Sequence, residues 1–214
     1  MSLIHIVDKI SSTNDWLSKY YLDIDDTIIA LEQTSGRGRR GNIWESKRGG
    51  FYMSTVSSNH KLLSIVVAVS LAKVLTKKVV GLSLKWPNDL ILDGKKVGGI
   101  LCENFDSYSV VGIGINLLNE PRTSDSTNLS SHGFNFDKSI LLASFLYNFD
   151  HVSAFDSQKI VDEFIIFDCL IGKKIHWAEN SGIVKSIDLD GSLIVESEGK
   201  ELNLYSEEVH IEKY

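Results

Sequence analysis

Hydrophobic and polar positions change rhythm along this chain, and each change marks an element. Residues 3–7 read as a short strand, and residues 27–33 and 51–57 as two further apolar strands. Between the first two, Ser11-Ser12-Thr13-Asn14-Asp15 offers helix caps ahead of Trp16, Leu17 and Tyr20, and capping alone accounts for Ser12, Thr13 and Asn14. Residues 64–78 are apolar on most faces, with Lys73, Lys77 and Lys78 near the end, which predicts a buried helix with cations at its negative terminus. Alternation over residues 82–86 predicts a strand whose ladder Pro87 breaks, and Asp93-Gly94 predicts a hairpin turn into residues 95–101.

The second half continues with a strand over residues 109–117, carrying Gly112, Gly114 and Asn116. Residues 119–133 are polar and contain Pro121, so this long loop is either disordered or a functional flap. Residues 137–149 and 156–167 each pair an acidic cap with helical apolar spacing. The rhythm then shortens. Alternating runs at 183–184 and 193–195, separated by Asn180-Ser181-Gly182, Asp190-Gly191 and Glu198-Gly199, predict a small antiparallel barrel. The expected organisation is a mixed α/β domain over residues 1–168, then a β module over residues 169–214.

Composition narrows the picture. A chain of 214 residues with 43% hydrophobic and 23% charged positions suits a soluble globular protein with one good core and room for a small appendage. A formal charge of −6 argues against general nucleic-acid binding. Cys102 and Cys169 have no metal-like spacing and read as reduced core residues. The N-terminus lacks a signal-peptide pattern, and the longest apolar run, residues 65–72, is too short to span a bilayer. The expected address is the cytoplasm, without membrane or DNA partners.

The stretch Gln33 to Trp44 stands apart, because three glycines alternate with three arginines in Gly36-Arg37-Gly38-Arg39-Arg40-Gly41. The spelling fits G-x-G-x-x-G, but the dinucleotide fingerprint needs a helix after its last glycine, and none is predicted here. Glycine allows close backbone approach and arginine supplies forks for phosphate or carboxylate, so the segment reads as a loop around an anion. A solvated basic loop is the alternative.

Five motifs in order then point to a family. Ser12-Thr13-Asn14, the Gly36–Gly41 segment with Trp44, Lys85-Trp86-Pro87-Asn88-Asp89, Lys96-Val97-Gly98-Gly99-Ile100-Leu101 and Gly112-Ile113-Gly114-Ile115-Asn116 resemble those of bacterial biotin protein ligases. The tail from Gly172 to Tyr205 is similar to that family's C-terminal barrel. The resemblance implies an α+β fold: a mixed-sheet catalytic domain of the biotin/lipoate ligase type followed by a small SH3-like β-barrel. It implies the biotin–[acetyl-CoA-carboxylase] ligase activity, in which biotin and ATP give biotinyl-5′-AMP and pyrophosphate. Biotin then passes to a lysine of the biotin carboxyl carrier protein of acetyl-CoA carboxylase. A lipoate or octanoate ligase or acyltransferase of the same fold is the alternative.

The same resemblance implies residue roles. Ser12, Thr13, Asn14, Gln33, Gly36, Arg37, Gly38, Arg39, Lys96, Gly98 and Gly99 correspond to the biotin side. Arg40, Trp44, Lys85, Asn88 and Asn116 correspond to the ATP side. Lys96 matches the lysine that bridges biotin's carboxylate and the α-phosphate, with Arg37, Arg39 and Asp89 beside it in the chemistry. Mg²⁺ would accompany ATP, and Asp89 either holds it or orients the acceptor lysine. The chain begins almost directly at the catalytic motifs, so the resemblance is to the short form without an N-terminal DNA-binding domain, and no repressor role is expected. Family members can be homodimers. Residues 119–132 carry no aromatic side chain, so an adenine cover from this loop would have to be aliphatic, with Leu129 the candidate.

Overall fold

The structure, a computed structural model, describes residues 3–21 and 23–212. Its larger sheet contains β1 (Ile4–Ile10), β2 (Thr27–Gln33), β3 (Phe51–Ser57), β4 (Leu82–Lys85), β5 (Asp89–Leu92), β6 (Lys95–Asn104) and β7 (Ser109–Ile115) in the order β1-β2-β3-β7-β6-β5-β4. Only β1 and β2 pair in parallel, joined by helix α1 (Thr13–Tyr20), and every other pair is antiparallel. The sheet is therefore mixed, as expected.

One face of this sheet carries the main core. Helix α2 (Leu63–Leu75) lies there and is buried almost all round, packed against α3 (Lys138–Ser153) and α4 (Ser157–Phe167). Phe51, Met53, Ile113 and Ile115 from the central strands enter the same cluster. On the opposite face α1 covers only one end, where Leu17 meets Ile28, Val56 and Val110. The rest of that face is left for a cavity.

The smaller sheet contains β8 (Lys174–Trp177), β9 (Asn180–Ile187), β10 (Leu193–Ser197), β11 (Lys200–Leu204) and β12 (His210–Ile211) in the antiparallel order β11-β10-β9-β8-β12. This is the C-terminal β module of SH3-like type. It docks onto the first: the Gly191 carbonyl accepts from Trp86 Nε1 at 2.8 Å, and a Cβ at Gly191 would sit 2.9 Å from Leu62.

Several boundaries differ from expectation: β1 runs on to Ile10 and β6 to Asn104, and β7 ends at Ile115. The turn assigned to Asn180-Ser181-Gly182 occurs instead at Ala178 and Glu179, because Trp177 and Asn180 are already a pair and Gly182 is a strand residue. Glycine is needed there for a different reason: a Cβ would come within 2.5 Å of the Glu196 carbonyl on the neighbouring strand. Helix α2 stops at Leu75, where the Thr76 hydroxyl donates to the Ala72 carbonyl, so Lys77 and Lys78 lie beyond it and only Lys73 meets its last turn. Helix α3 runs on to Ser153, past the apolar pattern's expected end at 149.

The acidic caps are as expected. Asp137 accepts from the Ser139 and Ile140 amides, and Asp156 from the Lys159 amide. Asp137→Ala leaves those amides uncapped and is expected to lower stability by about 1 kcal/mol, read as a shifted urea midpoint with unchanged slope.

Candidate functional site

The cavity floor is made by missing side chains. Gly99 of β6 pairs with Gly114 of β7, which pairs with Tyr52 of β3, while Leu101 pairs with Gly112 and Gly112 with Ser54. Cross-strand partners share a sheet face, so Gly99, Gly112 and Gly114 all lie on the face opposite α2. A Cβ at Gly114 would be 2.3 Å from Trp44 Nε1, and one at Gly112 would be 2.3 Å from Asn14 Oδ1. The glycines let the Trp44 ring and the Asn14 amide lie flat against the sheet.

Above this floor is a chain of hydrogen bonds among uncharged groups. Ser46 Oγ accepts from Gln33 Nε2 at 2.7 Å, and Gln33 Oε1 accepts from the Thr13 amide and hydroxyl at 2.8 and 3.0 Å. Ser54 Oγ lies 2.7 Å from Thr13 Oγ1 and 2.5 Å from Asn14 Oδ1. Helix α1 presents these residues because Ser12 is its N-cap, accepting from the Asp15 amide, which places Thr13 and Asn14 in the first turn. Capping and lining the cavity are thus compatible roles for Ser12-Thr13-Asn14.

The other end gathers the cations Lys96, Lys85, Arg39 and Arg40, with the carboxylates Asp89, Glu207 and Glu208 among them. Between β5 and β6 the register slips: Leu90 pairs with Gly98 but Ile91 with Lys96, so Val97 is an extra residue. Strict alternation would put Lys96 on the Gly98 face. The bulge turns it onto the Gly99 face, where a Gly99 Cβ would meet Lys96 Nζ at 3.4 Å. There Lys96 Nζ pairs with Asp89 Oδ1 at 2.5 Å and lies 5.4 Å from the centre of the Trp44 ring.

The glycine–arginine segment folds back on itself as a tongue. The Trp44 amide donates to the Gly36 carbonyl and the Gly38 amide to the Asn42 carbonyl, with Arg40 in the left-handed region at φ 54°. No helix follows Gly41, so the dinucleotide fingerprint is excluded on structure as well as pattern. Arg39 donates to Asn88 Oδ1 at 3.1 Å, and Arg39 and Arg40 both donate to the Ser206 carbonyl, at 2.9 and 2.5 Å. Burial, reinforced by the neighbouring Arg40, pulls the Arg39 guanidinium below its ordinary pKa.

These groups enclose a cavity of about 300 Å³, the lower end of the range for small-molecule sites. Ser12, Thr13, Asn14, Gln33, Arg37, Gly38, Arg39, Arg40, Trp44, Lys85, Asn88, Asp89, Lys96, Gly99 and Asn116 all line it. Gly36 and Gly98 do not. A Cβ at Gly36 would strike Ser46 Oγ and the Trp44 carbonyl, both at 2.5 Å, and one at Gly98 would meet Leu90 and the Gly114 carbonyl. Both are packing glycines. Arg37, expected as a cation beside the chemistry, is paired with Asp15 and Glu103.

The loop over residues 119–133 is tied to the sheet. The Lys96 amide donates to the Asp125 carbonyl, the Thr127 amide to the Lys96 carbonyl, and the Leu129 amide to the Asn116 carbonyl. Leu129 is fully buried in the main core and does not line the cavity, so it cannot cover a bound base. Its apolar side chain is drawn into the core by burial, leaving Pro121, Arg122, Thr123 and Ser126 as the loop's contribution, together with Ile43 of the tongue.

Sequence reasoning missed several contributors. Gly112 and Gly114 were recognised only as parts of a motif, although glycines two apart in a strand mark a bare patch on one face. Ser54, Glu103 and Asp15 carried no local signal. Ser206, Glu207, Glu208 and Val209 reach the cavity from the far end of the chain. The cysteines lie outside the chemistry. Burial pushes the Cys102 thiol up to about 12 and raises that of Cys169. Folded protein at pH 8 is therefore expected to be alkylated by iodoacetamide about a thousandfold more slowly at Cys102 than unfolded protein, counted by mass spectrometry.

The chain is similar to known proteins in sequence and in fold. The model of the biotin/lipoate A/B protein ligase family matches residues 6–118. The bifunctional ligase/repressor BirA of Salmonella typhimurium is 30% identical over 228 aligned positions, which span 92% of this chain and 70% of that protein. The biotin–[acetyl-CoA-carboxylase] ligase of Paracoccus denitrificans is 38% identical over 108 positions, 44% of this chain and 45% of that one. Among solved structures, the biotin protein ligase from Aquifex aeolicus in complex with biotin and ATP superposes with a TM-score of 0.88 at 24% identity over the full length of both chains, a likeness of fold.

Proposed function

Because the chain belongs to the biotin/lipoate A/B protein ligase family, we propose that it is an ATP-dependent biotin–[acetyl-CoA-carboxylase] ligase that activates biotin as biotinyl-5′-AMP in this cavity. The observation that carries the reading is the division of one cavity into an uncharged hydrogen-bonding end and an end where the cations gather. A biotin molecule has that polarity: a neutral ureido ring at one end and a carboxylate at the other.

In the first step a carboxylate oxygen of biotin attacks the α-phosphorus of ATP, and the bond to the leaving pyrophosphate breaks. Two unit charges brought to 4 Å repel by about 4 kcal/mol at an effective dielectric of 20. Lys96, Arg39, Arg40 and Lys85 are the cations that offset this repulsion. Lys96 is the central one, because the bulge and the bare Gly99 hold its ammonium over the floor. In the second step the amine of a carrier lysine attacks the acyl carbon, AMP leaves, and the amide bond forms with loss of a proton from nitrogen. Asp89 holds Lys96 before the reaction and is the carboxylate available to orient the incoming amine.

Ser12, Thr13, Asn14 and Gln33 serve the ureido end, with Gly38, Gly99 and Trp44 close to the chain between the two ends. Arg40, Lys85 and Asn88 serve the nucleotide. Asn116 acts by holding the 119–133 loop, since its Nδ2 donates to the Thr127 carbonyl and its Oδ1 accepts from Asn119. Among the described residues no group of three or more His, Cys, Asp or Glu side chains could hold a metal, and Asp89 is engaged by Lys96. The described residues alone do not build a magnesium cage, and an ion would come with the triphosphate, held mainly by phosphate oxygens and water. The macromolecular partner is the biotin carboxyl carrier protein, with no DNA role, and homodimerisation is expected from the family alone. No helix among the described residues is long and apolar enough to cross a membrane, and the cytoplasm remains the expected address.

Incubating the protein with ATP, Mg²⁺, a biotin carboxyl carrier domain and equal biotin and lipoate tests the acyl choice. Intact-mass analysis is expected to show the biotinyl increment on the carrier lysine. A lipoyl increment in its place would move the chain to the lipoate branch of the family.

A further inference from the structure

Arg37 lines the cavity, yet its guanidinium is already committed. Its Nη2 lies 2.6 Å from Asp15 Oδ1 and 2.8 Å from Glu103 Oε2, so the three side chains together carry a charge of about −1. The same Glu103 oxygen accepts from Asn14 Nδ2 at 2.7 Å. Asn14 is itself fixed, with Ser54 Oγ 2.5 Å from its Oδ1 and the bare Gly112 behind it. One carboxylate oxygen on β6 therefore joins the cavity floor, through Asn14 of α1, to the cavity rim, through Arg37 of the tongue.

Stability does not account for the arrangement. The side chains of Arg37, Asp15 and Glu103 are 43%, 41% and 26% exposed, and ion pairs at such exposure contribute about 0–1 kcal/mol. Nor does anion binding, since a guanidinium shared by two carboxylates has little attraction left for a third. We propose that Glu103 is a positioning residue for substrate retention: it sets the orientation of the Asn14 amide and latches Arg37 across the uncharged end of the cavity. This rests on the biotin-ligase reading. Arg37 is then a rim closure and not one of the cations of phosphoryl transfer, a division of labour among three arginines that their spacing conceals.

Replacing Glu103 by glutamine keeps the length and an acceptor for Asn14 but removes the charge that holds Arg37. The test is a double-mutant cycle of Glu103→Gln and Arg37→Met, read by steady-state ATP–pyrophosphate exchange over a range of biotin concentrations. Each single variant is expected to raise KM for biotin about tenfold with kcat within about twofold, and the double variant to be no worse than the worse single. Arg37→Met changes only a half-exposed loop side chain, so it alone keeps the test open if Glu103→Gln does not fold. An unchanged KM in Arg37→Met, a fall in kcat in place of a rise in KM, or effects that multiply in the double variant would overturn the latch. Wild-type protein without biotin-dependent exchange would instead overturn the ligase reading and the latch with it. That outcome is distinct from the others, because it appears before any substitution is made.

Discussion

Lys96→Ala is expected to lower biotin-dependent ATP–pyrophosphate exchange by about a thousandfold, since a single donor aimed at developing charge in a dry site contributes factors of about 10² to 10³ and this one also offsets the meeting of two anions. The effect should fall on kcat more than on KM for biotin, because the ring end of biotin is held by other groups. Lys96→Arg keeps the charge but not the compact ammonium. A planar fork does not reproduce the single close contact that the ammonium makes with Asp89, so this variant is expected to recover little. The substitution leaves Asp89 without its partner, and thermal unfolding measured alongside separates lost chemistry from lost fold. Exchange within tenfold of wild type in a folded Lys96→Ala protein would remove Lys96 from the centre of the reaction.

Gly114→Val is expected to abolish biotin binding while leaving the sheet intact. The first added carbon would already be 2.3 Å from Trp44 Nε1, inside any tolerable contact. Gly114 faces the cavity and not the α2 core, so the way to relieve the clash is to move the Trp44 ring and the tongue that carries it. That movement removes one wall of the cavity. Affinity for biotin by calorimetry should fall by more than about 100-fold, while far-ultraviolet circular dichroism stays unchanged, because overpacking costs typically 1–3 kcal/mol and here falls on a loop. Binding within fivefold of wild type would mean that the ring does not need the space Gly114 leaves.

Much of this was legible in the sequence where local chemistry decides structure. Strands β2 and β3 have the bounds that their apolar runs predict, and Asp93-Gly94 turns with φ of 49° and 74°, the left-handed pair a two-residue hairpin requires. The motifs named for the site also converge, because they sit on strands, in turns or in the first turn of α1 beside one sheet face. What stayed hidden depends on contacts between distant residues. The bulge at Val97 inverts the face of Lys96, and no residue nearby announces it. Ser206 reaches Arg39 across 167 positions. The commitment of Arg37 to Asp15 and Glu103 cannot be seen from a loop that shows only its arginines. Leu129 looked available because its neighbours are polar, but packing placed it in the core.

The measurement that bears most directly on the account is exchange of labelled pyrophosphate into ATP by the wild-type protein, with and without biotin, in the absence of any carrier. The first step of the proposed reaction involves only biotin and ATP, and no carrier. Exchange is therefore expected to be strong with biotin and absent without it, and lipoate is not expected to substitute. A folded protein that binds both biotin and ATP yet shows no exchange would contradict the assignment of this cavity to adenylate formation.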